Sequence, residues 1–415
     1  MWAVNTLNSP AGVAAPPGDR MTAPERRASL SLALIYALRM LGLFLVLPVF
    51  ALEARHYPGG DDPALLGFTM GIYGLTQALL QLPYGMASDR WGRKRVIALG
   101  LLVFALGSFW AAAAQDVHGL LIGRSLQGAG AVSAAVTALL ADLTRDTVRT
   151  KAMALIGASI GLMFALSLVL APALSARIGL SGLFDLTGAL ALLGVAVILW
   201  VVPSAPRRLR APEPGGLRRV LRHPVLMRVN VGVFVVHAVQ LAMWMAVPAL
   251  LIQAGLPSAQ HWEIYLPAVV LSVLGLGGVF ALERRGQHRR VFLGAMGLLL
   301  LAQLGFLQQS LSDPGLWAMA ALLLVFFTGT NTLEALQPSL TSRLAPADVR
   351  GTAMGVYNTI QSLGFFVGGW AGGLLVKRWG PPALFIACGA AMLVWFAVTW
   401  NMPVPGRDGA PAQTA

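Results

Sequence analysis

The sequence predicts an all-α membrane protein of twelve transmembrane helices, arranged as two pseudo-symmetric six-helix bundles. Three observations lead there. Charged residues make up 11% of the 415-residue chain and hydrophobic residues 57%, at a mean hydropathy of +0.71; a soluble domain carries about 25% charged residues. Twelve runs are apolar over the ~20 residues that a membrane helix needs. Local sequences of the first half also recur in the second at a nearly constant offset.

In chain order, residues 1–28 are rich in Ala, Pro and Gly and read as a disordered tail. The first span, 29–52, follows Arg26 and Arg27 and is too long for the h-region of a cleaved signal peptide, so it reads as an uncleaved helix. Span two, 64–87, and span three, 96–115, carry no charge, and the run Gly85-Met86-Ala87-Ser88-Asp89-Arg90-Trp91-Gly92-Arg93-Lys94-Arg95 lies between them. Span four, 117–141, is set off from span three only by Asp116 and its neighbours. Spans five and six are 152–176 and 181–203. Residues 204–224 hold Pro206, Pro212, Pro214, Gly215, Gly216 and six Arg, a linker that neither crosses a membrane nor folds alone. The second half follows as 225–252, 262–282, 291–309, 316–342, 352–376 and 381–400, with a short tail over 401–415. The domains are therefore an N-terminal bundle, 29–203, and a C-terminal bundle, 225–400.

Charge sets the orientation. With the N-terminus in the cytoplasm, the inside segments hold 23 Lys and Arg and the outside segments four: Arg55, Arg177, Lys377 and Arg378. The positive-inside bias then places both termini in the cytoplasm. A net charge of +13 raises the question of nucleic acid, but the bases sit in short loops between apolar spans, so topology accounts for them and no nucleic-acid partner is expected. The single cysteine, Cys388, excludes an intramolecular disulfide.

The halves read as repeats. Pro48 near the end of span one matches Pro248 near the end of span seven, 200 residues on. Asp89-Arg90-Trp91-Gly92 matches Glu283-Arg284-Arg285-Gly286 at an offset of 194. Val148-Arg149-Thr150-Lys151-Ala152-Met153 matches Val349-Arg350-Gly351-Thr352-Ala353-Met354 at 201. Parallel halves related by an axis along the membrane normal are a transporter architecture.

The run from Gly85 to Arg95 resembles the loop signature of the major facilitator superfamily, Gly-x-x-x-Asp-Arg-x-Gly-Arg-Arg/Lys. Further stretches are similar to its YajR-like group, itself similar to the drug:proton antiporters: Arg39-Met40-Leu41-Gly42 with Leu47-Pro48, Gly71 to Gln77, Gly123-Arg124-Ser125-Leu126-Gln127-Gly128, Asn331 to Leu340, and Gly351 to Tyr357. The antiporter-type span-five signature has Gly-Pro followed by small residues; here Pro172 follows Ala171. YajR-like proteins can carry a soluble domain after the last span; with Ala415 shortly past span twelve, that domain is expected to be absent.

A charge in hydrocarbon costs about 2.5–3.5 kcal/mol on insertion scales, so each deep one needs a reason. Arg39, Arg124, His237 and Glu334 lie well inside spans one, four, seven and ten. The resemblance implies that these four helices line a central cavity. Glu334 is the only acid deep in a span. It is expected to carry the proton, with Arg39 or His237 controlling its affinity; a static ion pair locking two helices is the alternative. His237 reads either as a titrating group or as a neutral ring bonded to a backbone carbonyl. Arg124 with Gln127 and Gly128 resembles the superfamily's Arg-x-x-Gln-Gly motif, which implies proton translocation; a structural role, donating to span-one carbonyls, is the alternative. Gln240 and Asn331 join the cavity set, with Gln77, Gln81, Asn358 and Gln361 as further polar candidates or interhelical glue.

Gly85, Asp89, Arg90, Gly92, Arg93 and Lys94 are expected to act in gating. A helix N-terminus attracts a carboxylate, and that of span eleven, near Gly351 and Thr352, suits Asp89. The resemblance implies that this contact latches the outward-open state. Gly157 with Gly161, and Gly364 with Gly368 and Gly372, have the small-x-x-x-small spacing of close packing or helix flexing.

No Lys follows a Gly, so there is no P-loop; no His-Glu-x-x-His and no cysteine cluster is present, and no nucleophile–base pair stands out. The expectation is a secondary active transporter rather than an enzyme, with no cofactor. It is expected to move a small solute across the bacterial inner membrane by alternating access, as a monomer, by proton-coupled efflux. Proton-coupled import, uncoupled facilitation, and a non-transporting receptor or scaffold are the alternatives.

Overall fold

The computed structural model describes residues 20–203, 215–346 and 349–402; most of the N-terminal tail, most of the linker and nearly all of the C-terminal tail lie outside the described residues. In the first half the helices are α1 Ala23–Glu53, α2 Pro63–Trp91, α3 Arg93–Ala113, α4 Val117–Ala129, α5 Ser133–Leu143 and α6 Asp146–Ala196. In the second they are α7 Gly216–Leu221, α8 Pro224–Met243, α9 Val247–Gln253, α10 Trp262–Arg284, α11 His288–Leu311, α12 Leu316–Leu344, α13 Arg350–Trp379 and α14 Pro381–Thr399. No strand occurs among the described residues.

Caps fix where several helices begin. Thr22 and Glu25 form a capping box, so α1 starts at Ala23, ahead of the expected 29. Asp62 accepts from the Ala64 and Leu65 amides at the head of α2, and Pro63 occupies the first turn, where its missing N–H costs nothing. Asp116 accepts from the Gly119 amide at 2.7 Å and so separates span four from span three.

Among the described residues, eleven stretches are long and apolar enough to cross a membrane. One of them, Thr147–Val201, has 55 residues and would measure on the order of 80 Å as a straight helix, far beyond a ~30 Å hydrocarbon core. It is broken at Gly179 (φ 64, ψ −175), a backbone conformation open essentially to glycine, and so supplies two crossings. Twelve crossings result among the described residues, which puts the start of α1 and the end of α14 on the same side, called here the terminal end. Two spans expected to be continuous are not. Span four breaks between α4 and α5, and span seven breaks at Trp244-Met245-Ala246, with Pro248 inside the first turn of α9. Pro48, its partner in the first half, stays inside an unbroken α1.

Backbone geometry bears out the repeat. Gly179 and Gly380 (φ 79, ψ 179) adopt one conformation 201 residues apart, and Gly92 and Gly286 both have positive φ, 194 apart. Helices α1 and α8 start 201 residues apart, and α5 and α12 end 201 apart.

The outer surface is apolar, with Leu79, Leu106, Leu274, Leu301 and Val394 exposed. Exposed tryptophans gather at both ends: Trp91, Trp200 and Trp400 at the terminal end, Trp317 and Trp379 at the far end. That is the aromatic belt of a membrane protein.

The halves meet along α2 and α13. A Cβ at Gly67, Gly71 or Gly74 would stand 2.2–2.5 Å from the carbonyl oxygens of Gly369, Phe366 or Ser362, so glycine lets the two backbones touch. At the far end of this seam Lys377 Nζ lies 2.7 Å from Asp62 Oδ2; deeper in the bundle Phe164 of α6 meets Phe327 of α12, ring centroids 6.0 Å apart. Toward the terminal end, Gly157 and Gly161 of α6 and Gly275, Gly277 and Gly278 of α10 have open space where a Cβ would stand. The halves thus close at the far end and part at the terminal end. Gly364, Gly368 and Gly372 serve close packing of α13 on α8, against Phe234, Ala238 and Ala242.

The linker is not wholly without structure. Gly216–Leu221 makes one short helix, and Val220 packs with Leu226, Ala345, Val349, Ala353 and Val356 at the terminal end of α13.

Candidate functional site

Helices α8, α12 and α13 bring Glu334, Gln240, His237 and Gln361 together. Glu334 lies about 15 Å from the terminal end of α12. Its Oε1 accepts from Gln240 Nε2 at 3.1 Å and lies 4.0 Å from His237 Nε2. Its side chain nevertheless keeps 39% of its surface accessible, so this deep carboxyl faces open space between helices.

His237 is buried and doubly held. Its Nδ1 lies 2.7 Å from the Val233 carbonyl, one helical turn back, so Nδ1 carries the hydrogen. Its Nε2 then has the lone pair and accepts from the Gln361 amide at 2.7 Å. This is the neutral tautomer, the second of the two readings of the sequence, and it leaves Glu334 without a cationic partner in this state.

Arg39 is elsewhere. Its guanidinium donates to Tyr73 Oη at 2.7 Å, Ser133 Oγ at 3.2 Å and Gln77 Oε1 at 3.3 Å, and stands 5.6 Å from the Phe104 ring centroid. Tyr73 and Gln77 are four residues apart on α2 and so share a face. Arg39 is 1% exposed, its Nε has no partner, and no carboxylate lies within ion-pair distance of it among the described residues. Of the two residues expected to act on Glu334, His237 lies beside it and Arg39 does not; each is bonded within its own half.

Arg124 donates to Gln127 Oε1 at 2.9 Å and to the Met70 carbonyl at 3.4 Å, and lies 5.0 Å from the Tyr73 ring centroid. Gln127 continues to Ser108 at 2.8 Å. The carbonyl it reaches belongs to α2, not to span one, because Tyr73 and Met70 intervene. Asn331 donates to Ser272 at 2.8 Å and ties α12 to α10. It acts as a strut between helices.

The two polar centres are in register. Tyr36 Oη donates to the Ser133 carbonyl at 3.0 Å, and Arg39 donates to Ser133 Oγ. Adding 201 to each number gives His237, Gln240 and Glu334, which meet in the same way. The N-terminal half therefore carries a cation where the C-terminal half carries an acid.

At the terminal end Arg93 organises the loop. It meets Asp89 at 2.5 Å, Asp142 of α5 at 3.1 Å and Ser88 at 2.6 Å. Lys94 donates to the carbonyls of Leu199 and Val202 at the end of span six. Gly92 has φ 95, and Gly85 faces Ala134 at ordinary contact distance. Arg90 is exposed. Asp89 does not reach α13 here: it is spent on Arg93, and a Cβ added at Gly351 would meet open space. That follows from halves that are parted at this end.

Tyr73, Ser133 and Gln361 complete these centres. Gln361 was visible only as one polar residue among several; the four-residue spacing of Tyr73 and Gln77 was the one signal that α2 turns a polar face inward.

The Major Facilitator Superfamily model matches residues 32–369. The Inner membrane transport protein YajR of Escherichia coli (strain K12) is 40% identical over 93% of this chain and 85% of its own length. The Multidrug resistance protein MdtH of Proteus mirabilis (strain HI4320) is 28% identical over 80% of this chain and 83% of its own. A bacterial homologue of the human lysosomal transporter Spinster, in an inward-facing and occupied conformation, superposes at TM-score 0.75 with 15% identity, covering 92% of this chain and 97% of that one. With its twelve crossings, repeated halves and loop signature, the chain belongs to the Major Facilitator Superfamily and is a YajR-like transporter, not an enzyme.

Proposed function

We propose that this transporter exports a small solute from the cytoplasm across the bacterial inner membrane in exchange for protons, acting as a monomer by alternating access. Both termini are cytoplasmic on this reading, so the parted end of the bundle opens inward.

The observation that carries the coupling is Glu334. It is deep in its helix, it is open to the space between helices, and its neighbours are neutral donors rather than a fixed cation. A carboxyl so placed can exchange its proton for solute as the site changes access. Neutral His237 is the adjacent relay: a turn of the Gln361 amide would free Nε2 to take a proton from the nearby carboxyl. The Asp89 loop is the latch of the other state, where closure at the terminal end brings it to the head of α13.

The test is proton flux in proteoliposomes holding a pH-sensitive dye, across a panel of drugs, sugars and organic anions. The expected result is that at least one solute drives protons in the opposite direction in the wild type. Solute movement indifferent to the pH gradient would make the protein a facilitator and overturn the coupling.

A further inference from the structure

We infer that Arg39, with Tyr73, Gln77 and Ser133, forms the recognition point for an oxyanion, so the transported solute carries a carboxylate or phosphate group. This rests on the reading of the space between the halves as the solute path, but not on the proton role of Glu334.

The argument begins with an unbalanced charge. A guanidinium at membrane depth is compensated by a carboxylate, a ring of carbonyls or a ligand. Arg39 has two hydroxyl oxygens, one amide oxygen and a ring face, and its Nε is unsatisfied. These neutral partners hold the fork in place without cancelling its charge. Arg124, equally buried and likewise with an unpartnered Nε, reaches a main-chain carbonyl and the chain Gln127–Ser108. Arg39 has no equivalent carbonyl.

Position points the same way. Gly67, Gly71 and Gly74 mark the face of α2 that meets the other half, and Gln77 lies one turn further toward the terminal end, beside that face rather than on it. Gln77 is the partly exposed member of the set, and its bond to Arg39 is the longest of the three. Its Oε1 occupies the place that an anion's oxygen would take, between the fork and the interface. A guanidinium presents parallel donors that match a carboxylate or phosphate in two-point contact, and Tyr73 Oη adds a donor beside it. The source is a soluble anion rather than a lipid headgroup, because Arg39 stands about 24 Å along α1 from its start.

The register of the halves adds the last step. Arg39 answers to Gln240 and Ser133 to Glu334, so the two equivalent centres carry opposite charge, and the N-terminal one has no acid of its own to cancel its cation.

Thermal unfolding of the full chain in detergent, at fixed pH and ionic strength, tests this directly. The probes are sodium acetate, benzoate, succinate, glycerol 3-phosphate and inorganic phosphate, with sodium chloride and tetraphenylphosphonium chloride as controls. At least one oxyanion should raise Tm in a saturable way beyond chloride. The same shift should persist in Glu334→Gln, which separates this inference from the proton role. Arg39→Gln should weaken that anion about ten- to a hundredfold, the loss of one or two charged hydrogen bonds. If that variant fails to fold, Gln77→Glu decides. It supplies the missing carboxylate from within, and should raise the baseline Tm while abolishing the anion-dependent shift. Stabilisation by tetraphenylphosphonium alone, no response to any oxyanion, or an anion shift that survives both Arg39→Gln and Gln77→Glu would each overturn the inference.

Discussion

In the N-terminal half Tyr36 and Arg39 of α1 meet Ser133 of α5; in the C-terminal half His237 and Gln240 of α8 meet Glu334 of α12, each residue 201 positions on. Helices α1 and α8 start, α5 and α12 end, and Gly179 and Gly380 turn the chain at one register, so much of the duplicated backbone has been kept. The chemistry has been divided. The first site is sealed, with Arg39 1% exposed, and the second is open, with Glu334 39% accessible. A symmetric scaffold thus carries two polar centres of unlike charge, one closed over and one open. On the proposed function, that arrangement would let a proton and a solute be held separately and still sense the same movement of the halves.

The comparison breaks most visibly if the N-terminal site is given its own acid. Ser133→Glu should pair with Arg39, raise stability by about 1–3 kcal/mol in thermal unfolding, and abolish solute transport. Unaltered transport would show that Arg39 takes no part in it. A smaller effect is expected at the C-terminal site from His237→Gln. Gln keeps a polar contact with Gln361 but cannot relay a proton, so transport should fall about five- to tenfold, a coupling loss of about 1–1.5 kcal/mol, and its pH profile should flatten. A wild-type pH profile would make the ring structural.

The smallest effect is expected at the far-end ion pair joining the halves. Asp62→Asn should cost under about 1 kcal/mol, since both partners are substantially exposed. Lys377 beside Asp62 holds its carboxyl below the usual carboxylate range. The contact is therefore complete above the ordinary Asp value, and is lost only as pH falls through the lowered one. Distance measurements between labels on α2 and α13 should show the far end parting slightly more often in Asp62→Asn at neutral pH. In the wild type they should show no such change until the medium is strongly acid.

Much of this was legible in the sequence, for identifiable reasons. Hydropathy found the spans because lipid demands ~20 apolar residues whatever the fold. Arg39, Arg124, His237 and Glu334 stood out because charge inside a span is costly. Their partners did not stand out. Which face of α2 turns inward depends on Gly67, Gly71 and Gly74 touching α13, a contact between segments some 300 residues apart in the chain. That is why the sequence left Arg39 and His237 as alternatives beside Glu334, and only the structure brings His237 there: depth along a helix is readable, rotation about it is not. The breaks in spans four and seven were hidden too. Gly130 is one glycine among many, and Pro248 sits at the register of Pro48, which leaves its helix whole.

The most direct measurement is proton release on solute binding, followed in weakly buffered detergent solution with a solute that drives flux in proteoliposomes. Exchange of the Glu334 proton for solute, as proposed, predicts about one proton released per wild-type transporter, and none from Glu334→Gln even though that variant still binds the solute. Release of a proton from Glu334→Gln equal to that of the wild type would contradict it.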